Sequence, residues 1–95
     1  MKRHTAQWVL KAEDDIEAAR SLSALAKPQR DAACFHCQQS AEKYLKALLQ
    51  EFGLVVPRTH LLNDLLNLLL PHDATLASLR RGLRALNEEH LNLSP

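Results

Sequence analysis

Asp31–Phe52 reads DAACFHCQQSAEKYLKALLQEF, without a Gly or a Pro. Cys34, Cys37, Ala41, Leu45, Leu48 and Phe52 recur along it at three- and four-residue steps, the spacing by which one side of an α-helix meets a core. His36, Gln39, Lys43 and Lys46 recur at similar steps on a different side and form a polar stripe. As a helix the stretch is roughly 30 Å long, enough to cross a small domain. Ala33, Tyr44, Ala47 and Leu49 lie outside the main seam. The helix is therefore apolar over much of its girth, which calls for a wider core or a second covered side.

The rest of the chain reads as partners for this helix. On its N-terminal side, Thr5 is placed to cap a first helix over about residues 5–25, with Trp8, Ala12, Ile16, Ala19 and Leu22 or Ala26 inward. Asp15 lies beside that apolar stripe, where an isolated carboxylate is costly, so it needs Lys43 or Lys46 as a partner. Lys27-Pro28 breaks the chain before the central helix, which is expected over residues 30–52. Gly53 follows as its C′ residue. Beyond Leu54-Val55-Val56-Pro57-Arg58, Thr59 caps a third helix over residues 60–70, with Leu61, Leu62, Leu65, Leu68 and Leu69 as its apolar face. Asp73 caps a fourth over residues 74–91, whose seam is Leu76, Leu79, Leu83, Leu86 and His90. Short connections favour antiparallel neighbours. The fold class is thus all-α, an antiparallel four-helix up-and-down bundle within one domain spanning residues 1–95.

Composition narrows the function. Leu and Ala dominate, and no alternating Val/Ile/Thr run suggests a strand. The net charge of +1 sets up no global field for nucleic acid or a membrane surface, and nothing points specifically to DNA. No apolar run approaches a bilayer span. Charged residues arrive too early at the N-terminus for a signal peptide. Two cysteines then read as free thiols of a cytoplasmic protein.

At this point the residues resemble a known family, the HEPN domain. Ala12-x-x-Asp15-Ile16-x-x-Ala19 is similar to its A-x-x-D-L-x-x-A. Phe35-His36-Cys37-Gln38-Gln39-Ser40-Ala41-Glu42-Lys43-Tyr44-Leu45-Lys46-Ala47 is close to its F-x-x-Q-Q-A-A-E-K-x-L-K-A. Pro57-Arg58-Thr59-His60-Leu61-Leu62-x-Asp64-Leu65 is like its P-x-T-H-x-L-x-x-L. The resemblance covers almost the whole chain. It departs at the C-terminus, where Leu93-Ser94-Pro95 stand in place of the Arg-Tyr-Pro tail of many relatives. The resemblance implies a HEPN-like bundle that pairs with a second copy as a homodimer. It also implies a minimal nucleotidyltransferase as partner, in a toxin–antitoxin-like module that interacts with nucleotide or RNA.

Active relatives are metal-independent ribonucleases carrying R-x(4–6)-H near the end of the last helix, in a cleft between protomers. Here Arg84 and His90, with five residues between, satisfy that spacing and are the candidate catalytic pair. Histidine can move protons near neutral pH and arginine can stabilise a charged phosphorane-like transition state. The competing reading makes His90 a packed residue on the leucine seam and Arg84 the i,i+4 partner of Glu88. The stripe His36, Gln39, Lys43 and Lys46 is the candidate ligand-binding site, because its donors and positive charge suit phosphate. Its competitor is a solvated helix face with Glu42–Lys46 pairing and Asp15 neutralising one lysine. Cys34-Phe-His-Cys37 lacks the further ligands a zinc site needs, so no metal and no cofactor is expected. Arg80, Arg81 and Arg84 form a small basic patch without interleaved aromatics, more consistent with a solvated face than with RNA. An alternative of another class is a catalytically silent protein-interaction module.

Overall fold

A computed structural model of the chain describes the backbone of residues 1–93 and the side chains of residues 1–87. It contains helices α1 (Arg3–Ser23), α2 (Arg30–Glu51), α3 (Leu62–Leu69) and α4 (Arg80–Leu93), with a 3₁₀ segment, Ala74–Leu79, leading into α4. No strand occurs among the described residues. The order of packing follows from α2, which has two covered sides. α1 lies along one, and α3 and α4 lie against the other. Among the described residues α1 meets neither α3 nor α4.

The α1–α2 seam is made of small residues. Thr5, Ala12 and Ala19 recur every seven residues on α1, and Ala33, Ser40 and Ala47 do so on α2. All six are buried. Side chains this short let two backbones come close, and Ser40 Oγ donates to the Ala12 carbonyl at 2.9 Å. On the opposite side of α2, Leu45 and Leu49 join Leu62, Leu65, Leu66, Leu69 and Leu83 in the core. Burying each such leucine contributes about 2 kcal/mol, so this layer supplies most of the hydrophobic stabilisation. Ala33, Ala47 and Leu49 are therefore covered within one chain, and only Tyr44 of that set is exposed, at 40%. The apolar girth of α2 is accounted for by two internal neighbours.

Local chemistry sets the element ends. α2 ends in a Schellman arrangement: Gly53, at φ +74°, donates to Gln50 O, and Leu54 N donates to Leu49 O at 2.9 Å. Phe52, expected on the seam, lies past the last helical residue. It is exposed and stacks on His72 with ring centroids 5.6 Å apart. Thr5 does not cap α1, which begins two residues earlier. Its buried hydroxyl instead donates to Glu51 Oε1 at 3.3 Å, beside the Lys2 amide at 2.9 Å. Those two bonds, the Lys2 amide first, hold the Glu51 carboxyl below its ordinary value.

Thr59 does not cap α3 either. Its Oγ1 accepts from Leu61 N in a local turn, and Leu62 N is satisfied by Asn87 Oδ1 of α4 at 2.9 Å. That later start turns Leu61 and Leu68 outward and buries Leu66. Asp73 does cap its segment, accepting from Thr75 N at 3.1 Å. However, the segment is 3₁₀, with three residues per turn, so Leu79 leaves the predicted seam and is 42% exposed, while Leu76, Leu83 and Leu86 stay on the core. The last seam residue predicted, His90, has its side chain outside the described residues.

Candidate functional site

The polar stripe of α2 is split between two carboxylates. Asp15 comes from α1 at the helix interface. Its Oδ1 accepts from His36 Nδ1 at 2.8 Å and its Oδ2 from Lys43 Nζ. An ionised carboxylate can only accept, which places the proton of His36 on Nδ1. Burial pushes the Asp15 carboxyl up, but the hydrogen bonds and charges of Lys43 and His36 outweigh it, and the group is held below its usual range. His36 and Lys43 are seven residues apart, two turns of α2, so one carboxylate from α1 fastens both. Of the two partners predicted for Asp15, Lys43 is the one present.

Lys46 belongs to a second cluster. Its Nζ donates to Glu42 Oε2 at 3.0 Å, and both side chains are nearly buried. Glu42 Oε1 meets His60 Nδ1 at 2.9 Å. His60 comes from the link between α2 and α3, and its ring is 77% exposed. Lys46 also lies over the Trp8 ring, 5.6 Å from its centroid, and Lys11 approaches the same ring at 5.7 Å. Gln39 joins neither cluster; its amide donates to the buried Gln38 at 3.2 Å.

Between α1, α2 and the α2–α3 link this second cluster opens into a cleft of about 430 Å³. Trp8, Val56 and Pro57 line it with apolar surface, and Lys46, Gln50, Arg58 and His60 add polar groups to the lining. The size and the mixture fit a small-molecule site, apolar walls with few convergent polar groups. A larger hollow of about 550 Å³ lies near the C-terminal end of α1, beside Ile16, Ala19 and Cys37. Arg20 and Ser23 line it as well and give it polar atoms, but no aromatic ring does.

Other predicted features fall elsewhere. Arg84 and Arg81 are exposed on α4. Arg80 turns back to α3, where it donates to Asn63 Oδ1 at 3.2 Å and to Asn67 Oδ1. The side chain of His90 lies outside the described residues. Cys34 and Cys37 are half-buried and form no disulfide, and no group of three potential metal ligands occurs among the described residues. Nor is any helix there long and apolar enough to cross a membrane.

Sequence reading placed Lys46 in a binding stripe but did not connect Trp8, Gln50, Arg58 or His60 to it. Trp8 reads as an inward apolar residue and His60 as a helix start. The available signal was Pro57-Arg58-Thr59-His60, a charged and rigid link directly after the helix that carries Lys46.

Residues 5–92 match the family described as HEPN domain. The match covers nearly all of the chain, and the chain belongs to that family. No curated protein and no solved structure matches it.

Proposed function

We propose that this HEPN domain protein interacts with nucleotide or RNA through the cleft beside Lys46, as one half of a nucleotidyltransferase-associated, toxin–antitoxin-like module in the cytoplasm. The observation that carries this reading is the convergence of Trp8, Lys46 and the link residues around one open space of ligand size. A tryptophan suits a base and the exposed Arg58 guanidinium suits a phosphate. Lys43 contributes less, because it is not among the residues that line the cleft and Asp15 holds it elsewhere. The homodimer in this proposal rests on the family resemblance alone, since two neighbours within the chain cover the apolar girth of α2. Calorimetric titration of the purified chain with nucleotides and short single-stranded RNA tests the reading, with saturable binding expected. Co-purification with a nucleotidyltransferase encoded beside its gene tests the partnership.

A second reading makes the protein a metal-independent endoribonuclease, favoured by the exposed guanidinium of Arg84. His90 would take the proton of a ribose 2′-hydroxyl, whose oxygen attacks phosphorus to form a 2′,3′-cyclic phosphate and expels the 5′-oxygen, which takes a proton from water, while Arg84 balances the charge on the phosphorane. RNA cleavage in EDTA that is lost in both Arg84→Ala and His90→Ala would establish it. Failure of both nucleotide binding and cleavage would leave a silent protein-interaction module.

A further inference from the structure

Counting cations around the cleft gives its ligand a definite phosphate number. Two ammonium or guanidinium groups line it, Lys46 and Arg58. Lys46 is committed: its Nζ is bonded to Glu42 Oε2, both partners are almost out of contact with water, and it also rests over Trp8. Drawing it onto a phosphate would strand Glu42 as a buried unpaired charge, which is costly. Arg58 is different. It is exposed, and it makes no hydrogen bond or ion pair among the described residues. Its planar fork matches two oxygens of one phosphate group, and a rigid Pro57 precedes it. Glu42 also holds His60 by Nδ1, leaving Nε2 directed away from that bond as a donor or acceptor for a polar edge. Gln50 adds an amide with both capacities. Lys11, over the Trp8 ring, is an exposed flexible side chain that can move aside.

Resting on the reading above, we infer that the cleft takes a single nucleotide unit with one phosphate group: its base lies against Trp8, its polar edge meets Gln50 and His60, and its monophosphate is held by Arg58. Further phosphates gain little, because Arg58 is the one uncommitted cation that the described residues place in the lining, and the other nearby, Lys11, lies over the Trp8 ring at the base end. The same unit could come from a free nucleoside monophosphate or from a phosphorylated end of single-stranded RNA.

The chain contains one tryptophan, so its fluorescence reports on this wall alone. The full chain is titrated with AMP, adenosine, ATP, inorganic phosphate and a short 5′-phosphorylated single-stranded RNA, followed by Trp8 fluorescence and by calorimetry. AMP should bind saturably and quench Trp8. Adenosine should bind about tenfold or more weakly, and ATP no tighter than AMP. Arg58→Ala, at an exposed site that leaves the fold intact by circular dichroism, should weaken AMP about tenfold or more, as expected for loss of a charge-assisted contact. Trp8→Ala, followed by calorimetry, should weaken it by a similar factor. Binding of the RNA but not AMP, with the same two losses, would support the site and assign its source to an RNA end. Nucleotide or RNA binding unaffected by both variants would overturn the cleft as the site, here and in the reading above, and leave only the interaction with nucleotide or RNA standing. ATP binding tenfold tighter than AMP would overturn the single-phosphate inference. No binding of any probe to the folded chain would overturn both.

Discussion

Two carboxylates in this molecule each hold one histidine and one lysine, one partner per oxygen. Asp15 holds His36 and Lys43, and Glu42 holds Lys46 and His60. They differ in where those partners lie. The Asp15 side chain is buried, but its partners keep a quarter to a third of their surface in water, 24% for Lys43 and 31% for His36. In the Glu42 cluster the lysine is buried with the carboxylate, at 9% and 5%, and the histidine stands outside at 77%. The first cluster spans two helices and fastens them. The second spans a helix and a link, and so shapes the cleft. The same trio of groups fastens two helices or lines a cleft according to which member faces water.

This contrast can be broken most strongly at Glu42. Glu42→Ala leaves the buried Lys46 ammonium without its counter-charge and should cost about 3–5 kcal/mol in urea unfolding. Asp15→Ala should cost less, about 1–3 kcal/mol, because water already reaches His36 and Lys43 and can solvate them. Equal losses in the two variants would remove the distinction.

Acid should separate the fastener further. Asp15 has a lower proton affinity folded than unfolded, so the stability it contributes is complete above the unfolded value of about 4. That contribution fades as pH falls from there through the lowered folded value. Unfolding measured along an acid series should therefore show a loss in the wild type that is reduced in Asp15→Asn. The smallest expected effect is at His60. His60→Ala should change stability by less than about 1 kcal/mol, since the ring is mostly in water. If the cleft is the site, the same substitution should still weaken nucleotide binding in the calorimeter.

The sequence determined much of the frame. Leucine and alanine at helical steps, Pro28 as a break, Gly53 as a C′ residue and Asp73 as a cap are local chemistry, and each is legible because it depends on neighbours along the chain. The need of Asp15 for a lysine was legible too, because burying a carboxylate has few solutions. Other assignments depended on partners distant in sequence. Thr5 caps nothing because Glu51 offers its hydroxyl a better acceptor across the helix pair. Thr59 is displaced as a cap because Asn87 reaches the start of α3. In a chain as rich in alanine as this one, periodicity on α2 could not separate the small-residue seam facing α1 from the leucine face on α3 and α4. Both satisfy a helical repeat, and only packing tells them apart. The cleft is the clearest case. Trp8, Lys46 and His60 are far apart in sequence and carry no shared spacing. They meet because α1 docks on α2 and because Glu42 holds the link, so tertiary structure alone made them neighbours.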